Sequence, residues 1–175
     1  MQLTGKQIVE KGIVIGACDE GIQQQGVDVR VIDIKRVDAC DGLCGFIPAT
    51  GKTLTPVVTP VDLQQNYRGN YRGIFWELRP GYYEVTFEEG CQIPADCAMY
   101  FKTRSSLVRC GAEIRSGQFD GGFETDHMGA FLKVELPIEI EKGARVAQAI
   151  INETYTVEKE YLYDGQWQGD KQRNS

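Results

Sequence analysis

Apolar and polar residues alternate along this chain in runs of four to eight, and they almost never recur at helical spacing. Val27, Val29 and Val31 fall on one alternation and Asp28 and Arg30 on the other, which predicts a half-buried strand over residues 23–34 with a polar outer face. Residues 13–15, 74–78, 82–87, 97–102, 130–136, 138–140 and 146–151 read as further strands. Arg79-Pro80-Gly81, Ile93-Pro94 and Glu141-Lys142-Gly143 supply turns between them. One helix is predicted, over residues 5–11: Thr4-Gly5-Lys6-Gln7 has the form of a capping box, Ile8 and Val9 follow, and Gly12 stops it. Residues 38–73 are broken by Gly42, Gly45, Pro48, Gly51, Pro56, Pro60, Gly69 and Gly73. Leu43, Phe46, Leu54, Val57 and Val58 nevertheless recur there, so an ordered excursion of loops and short strands is expected. The pattern predicts an all-β fold, a distorted barrel or jelly roll with a short N-terminal helix. It fills one domain over residues 1–169, with a flexible polar tail at 170–175.

Composition narrows the function more than the fold. A net charge of -6 argues against a nucleic-acid coat, which needs a basic surface to displace counterions. It leaves room for a local cationic site. No apolar run approaches the ~20 residues that span a bilayer, and Met1-Gln2-Leu3-Thr4-Gly5-Lys6 lacks a signal-peptide core. The 6 cysteines are not at zinc-ribbon spacing; Cys40 and Cys44 are the one close pair. Reduced thiols in the cytoplasm are the expectation. His127, the single histidine, sits in a polar loop and is expected to be exposed and idle.

The candidate chemistry begins at Arg104-Ser105-Ser106-Leu107-Val108-Arg109, two arginines and two hydroxyls within one short stretch. Arginine forks bind phosphate oxygens bidentately and hydroxyls add short donors beside them. Further on, Asp120-Gly121-Gly122-Phe123 puts a carboxylate in a Gly-rich turn where it can reach a water or a metal. Together they suggest a nucleoside-triphosphate site.

Six motifs then give a family resemblance. Gln24-Gln25-Gly26-Val27-Asp28-Val29-Arg30, Leu78-Arg79-Pro80-Gly81-Tyr82-Tyr83 and Arg104-Ser105-Ser106-Leu107-Val108-Arg109-Cys110-Gly111 occur in that order. Phe119-Asp120-Gly121-Gly122-Phe123, Gly143-Ala144-Arg145-Val146-Ala147-Gln148 and Tyr163-Asp164-Gly165-Gln166-Trp167-Gln168-Gly169 follow. In this order and spacing they resemble the dUTPase and dCTP deaminase superfamily, closest to its archaeal-type, deaminase-like dUTPases. The resemblance implies a homotrimer with sites between subunits. Arg104, Ser105 and Arg109 would hold the triphosphate, and Ser106 would bind beside them or brace the turn. Gln148, Tyr163 and Gln168 would close over it, and Gly117 and Phe119 would belong to the hairpin against which base and sugar pack. Asp120 would orient the water that attacks the α-phosphorus, assisted by Mg2+, and Asp28 would act indirectly near that metal or make a structural contact to the Arg30 or Arg109 neighbourhood.

The resemblance leaves the reaction open. Deaminases carry a glutamate that activates water against the cytosine ring, and Glu135 in Val134-Glu135-Leu136 superficially matches it. Counting from Gly129, however, Val134 falls at that place, after an insertion at Thr125-Asp126-His127-Met128. A slip of one residue sends a strand side chain to the other face. The expectation is therefore a dUTP diphosphatase; dCTP deamination, a bifunctional enzyme and a non-catalytic nucleotide-binding relative are the alternatives. Gln166, where the family has a basic residue, Trp167 for its usual Tyr and Thr125 for its Gly support the last of these.

Overall fold

The capping box forms as the sequence predicts. In the computed structural model, Gln7 N–H donates to the Thr4 hydroxyl at 3.3 Å, and Thr4 N–H donates to the Gln7 carboxamide at 2.9 Å. Helix α1 spans Gly5–Glu10. Gly12 follows at φ 68°, a left-handed conformation that ends the helix at no side-chain cost. The structure describes residues 1–38, 45–47, 52–54, 56–68, 70–156, 158–165 and 168–169. Cys40, Cys44, Gln166, Trp167 and the 170–175 tail lie outside the described residues.

Strands β1 (Val14–Ile15), β2 (Ile22–Gln23), β3 (Gly26–Val37), β4 (Gly45–Ile47), β5 (Lys52–Leu54), β6 (Val58–Pro60), β7 (Gln64–Arg68) and β8 (Tyr71–Leu78) fill the first half. Then come β9 (Gly81–Phe87), β10 (Gly90–Gln92) and β11 (Cys97–Thr103), a one-turn helix α2 (Ser105–Arg109), β12 (Ala112–Arg115) and β13 (Glu124–Thr125). β14 (Gly129–Val134), β15 (Ile138–Glu141) and β16 (Arg145–Glu153) complete the set. The main sheet runs β11-β16-β3-β9-β14-β12, with antiparallel pairing throughout. Separate sheets are β1-β10-β13, β15-β8-β7 and the β4-β5 hairpin, so the described part of the 38–73 excursion is ordered in short strands as expected. The fold is mostly β, as the alternation predicts.

The main sheet curls until its edge strands β11 and β12 meet. The contact is made by a side chain: the Thr103 hydroxyl accepts from Ile114 N–H at 2.9 Å and donates to Ile114 C=O at 3.2 Å. Phe101 N–H donates to the Ser116 hydroxyl beside it at 3.3 Å. Two hydroxyls thus stand in for ladder partners and leave the barrel nearly closed. Inside lie Val27, Val29, Val31, Val85, Phe87, Met99, Leu132 and Ile151, all at most 1% exposed.

Two expectations need correction. The polar face of β3 is not solvated: Asp28 is 1% exposed, and Arg30 is half-buried against Glu89, which is fully buried. β3 lies inside the sheet between β16 and β9, and the turn at residues 16–21 lies against its second face. The Gly16 carbonyl accepts from Arg30 Nη2 there at 2.8 Å. His127 is half-buried, with Nδ1 3.2 Å from the Glu88 carbonyl, because the inserted segment follows directly from β13, which pairs with β10. Cys18, Cys91, Cys97 and Cys110 are free thiols. Burial pushes Cys91 up to about 12 and Cys97 up to about 11, which leaves both unreactive. Among the described residues no helix is long and apolar enough to cross a membrane.

Thr103→Val should orphan both Ile114 backbone groups at the barrel seam while conserving volume. A loss of about 1–3 kcal/mol in urea unfolding is expected.

Candidate functional site

β11 runs directly into α2, and Arg104 is the residue between them, still extended at φ -67°, ψ 139°. Leu107 is buried and ties the single turn to the core, so Ser105, Ser106, Val108 and Arg109 all point outward. Gly111 ends the turn at φ 77°, where a Cβ would meet the Leu136 side chain at 2.9 Å. The alternation pattern missed this helix because one turn is too short to show a period. Its placement still delivers the exposed donors that the residue types suggested.

Behind the donors lies the buried carboxylate. Arg104 Nε lies 3.1 Å from Asp28 Oδ2, and Arg145 Nη1 lies 3.9 Å from the same oxygen. The Gln148 amide donates to Asp28 Oδ1 at 3.4 Å. Arg104 Nη1 donates to the Arg145 carbonyl at 2.9 Å, and Arg145 Nη1 donates to the Glu20 carbonyl. The β3–β16 register sets Asp28 opposite Gln148, and an irregularity between Arg145 and Ala147 swings Arg145 toward the same cluster. Burial pushes the Asp28 carboxyl above its ordinary value; Arg104, Arg145 and the Gln148 amide pull it back only in part. Arg145 is a member of the cluster that the Arg104–Arg109 stretch does not reveal; its signal in the sequence is the Gly-x-Arg-x-Ala-Gln spacing.

Asp120 belongs to a different place. Phe119 exchanges backbone hydrogen bonds with Met99 at 2.7 and 2.9 Å, and Gly121 packs against Pro94 and Ala95. The Asp120 side chain is exposed and accepts from the Gln118 amide at 2.9 Å. Phe119 is held edge-on between Phe101 and Phe123, and Phe123 meets Tyr163 in the same way. The C-terminal segment docks on this turn: Tyr163 N–H donates to Gly121 C=O at 2.9 Å, and the Gln168 amide donates to Gly122 C=O at 2.9 Å. Gly117 is exposed, with open space around its Cβ position.

The predicted residues therefore fall into two groups. Arg104, Ser105, Ser106, Arg109, Gln148 and Asp28 gather at the far end of β11, and Gly117, Phe119, Asp120, Tyr163 and Gln168 gather at its start. From Ala98, beside Asp120, to Arg104 is roughly 20 Å at the strand rise of about 3.3 Å per residue. Within one chain they do not meet. Glu135 is exposed and ion-paired to Lys133, while Val134 beside it is buried in the barrel. The Glu135 N–H donates to the Gly111 carbonyl at 2.8 Å, which places it at the end of α2.

The donor set does not fit a protein-held magnesium ion. Asp28 faces two guanidinium groups and is sealed from solvent, so it is not available as a ligand. Among the described residues no three His, Cys, Asp or Glu side chains converge on a metal position.

Fold and side chains together define a nearly closed β barrel with a cluster of arginine and serine donors at one end. Residues 2–154 match the family model described as dCTP deaminase-like, and the chain belongs to that family. It is 31% identical to the probable deoxyuridine 5'-triphosphate nucleotidohydrolase of Aeropyrum pernix, over 97% of this chain and 99% of that protein. It is also 31% identical to the deoxyuridine 5'-triphosphate nucleotidohydrolase of Methanocaldococcus jannaschii, over 86% of this chain and 89% of that protein. The structure of 2'-deoxycytidine 5'-triphosphate deaminase from Agrobacterium tumefaciens superposes with a TM-score of 0.59 at 16% identity. That match covers 87% of this chain but 47% of the other, and it is a likeness of fold.

The raised Asp28 value has a stability consequence. The native state holds this proton more tightly than the unfolded chain, so ionising Asp28 costs stability as pH rises from the unfolded value through the folded one. Relative to wild type, Asp28→Asn should gain in thermal midpoint as pH rises from 4 to 7, as followed by calorimetry.

Proposed function

We propose that the protein is a cytoplasmic dUTP diphosphatase that converts dUTP and water to dUMP and pyrophosphate. Full-length similarity to archaeal deoxyuridine 5'-triphosphate nucleotidohydrolases supports the substrate. Arg104, Ser105, Ser106, Arg109 and Gln148 hold the triphosphate, through guanidinium forks, hydroxyls and a carboxamide. Asp120 accepts a hydrogen bond from the attacking water and takes its proton as the oxygen bonds to the α-phosphorus and the pyrophosphate oxygen leaves. Gly117 and Phe119 line the base and sugar side, with Tyr163 and Gln168 fastening the turn beside Asp120. Magnesium enters as the ion that a triphosphate carries, held mainly by phosphate oxygens and water.

The observation that carries this reading further is the separation of the two groups along β11. A triphosphate held at Arg104 cannot be reached by Asp120 of the same chain at roughly 20 Å. The reading therefore pairs the Arg104 group of one subunit with the Asp120 turn of the next, in a closed homotrimer whose neighbouring copies repeat one heterologous contact. The ion pair of Glu135 with Lys133 and the burial of Val134 weigh against a deaminase glutamate at this place.

Chromatography of products from dUTP and dCTP, each incubated separately, is expected to show dUMP and pyrophosphate from the first and no dUTP from the second. Deamination of dCTP would make Glu135 the residue to pursue, and binding without turnover would identify a non-catalytic relative. Asp120→Asn should lower kcat at least about 100-fold with dUTP affinity retained. Mixing Asp120→Asn with Arg104→Gln chains, co-refolded at equal amounts, should restore about a quarter of wild-type activity, since one site in four then draws both native groups. No recovery would place the whole site within one chain.

A further inference from the structure

We infer that Asp28 is a positioning residue that aims the Arg104 guanidinium at the nucleotide phosphates, braced by Arg145, and not an acid on the metal side of the site. The inference rests on the triphosphate reading above. Three observations carry it. Asp28 is 1% exposed, yet its Oδ2 has no aligned hydrogen-bond donor among the described residues and faces two guanidinium groups. A buried carboxylate of this kind is held by charge, and it holds the charges around it in return.

Arg104 is constrained on two sides. Nε faces Asp28 Oδ2 at 3.1 Å and Nη1 donates to the Arg145 carbonyl at 2.9 Å. Nη2 makes no hydrogen bond among the described residues and remains able to donate. The Arg104 side chain is 33% exposed against 2% for Asp28, so the acid lies behind the arginine. The exposed part of the arginine lies at the same end of β11 as Ser105 and Gln148.

Arg145 explains why an acid is needed there. Both arginines lie within 4.0 Å of one carboxylate oxygen, and without that oxygen they would repel at short range inside a poorly solvated node. Arg145 is tied back by the Glu20 carbonyl on the turn at residues 16–21, so Arg104 is the member free to meet a ligand. One anion between two cations leaves a single net positive charge, which a phosphate then neutralises.

The test uses inorganic tripolyphosphate as the probe, titrated calorimetrically into the full-length protein with EDTA and again with magnesium. Wild type should bind in both conditions. Asp28→Asn, confirmed as folded by its cooperative thermal transition, should bind about tenfold more weakly in both. In an Arg104→Gln background, Asp28→Asn should cause no further loss. With dUTP the effect should appear in KM more than in kcat. A loss seen only with magnesium would return Asp28 to the metal side and overturn the proposal. An equal loss in the Arg104→Gln background, or none in wild type, would overturn it as well. Should Asp28→Asn fail to fold, Arg145→Gln serves in the same cycle: a several-fold loss that vanishes in the Arg104→Gln background is expected, and an undiminished loss refutes the relay. Failure of wild type to bind tripolyphosphate at all would instead remove the triphosphate reading itself.

Discussion

A carboxylate buried on the covered outer face of a β barrel is costly unless cations come to it, and in this protein the arrangement of one end of the barrel follows from that requirement. Asp28 projects from β3, a strand paired on both sides, into a space that water does not reach. Arg104 arrives from the end of β11, Arg145 from an irregular point on β16, and Gln148 from the residue directly opposite in the ladder. Arg145 and Gln148 come from β16 and Arg104 from the end of β11, so the node ties β3 to both strands. On the same strand, Arg30 and the fully buried Glu89 repeat the solution: Glu89 accepts from Arg30 N–H and Nε at 2.7 Å each. Both pairs hold the turn at residues 16–21, through the Gly16 and Glu20 carbonyls.

The opposite end of β11 is organised by different forces. An edge-to-face series of rings, Phe87, Phe101, Phe119, Phe123 and Tyr163, runs from the barrel interior to the C-terminal segment. Such contacts add modestly to the area that they bury. Their main effect here is to seat residues 119–123 rigidly, so that Asp120 is presented on a supported turn and not on a free loop. A charged anchor and an aromatically supported acid thus sit at the two ends of one strand. The separation is a property of the strand length.

Much of the fold was legible along the chain. The capping box predicted α1 to within a residue, because a helix start is a local reciprocal hydrogen bond between Thr4 and Gln7. The Val27, Val29 and Val31 alternation predicted β3, because a pleated strand with one face in a core must alternate. The one-turn helix α2 was not legible, since four or five residues cannot display a 3.6-residue period. The solvated face expected for Asp28 and Arg30 was wrong for a related reason. Alternation records which side chains are polar, and it does not record that a distant turn and a distant arginine will cover them.

For the site, the sequence by itself determined the chemistry: which residues carry donors, which carry a carboxylate, and the family to which their order belongs. Those are properties of residue type and spacing, which survive without coordinates. Only the tertiary structure decided which of them face one another. Asp28 and Arg104 are far apart in sequence and in contact in space, whereas Asp120 is closer to Arg104 along the chain and well removed from it in the barrel. Strand pairing sets those distances, because a sheet joins residues by register and carries neighbours in sequence steadily apart at about 3.3 Å per residue.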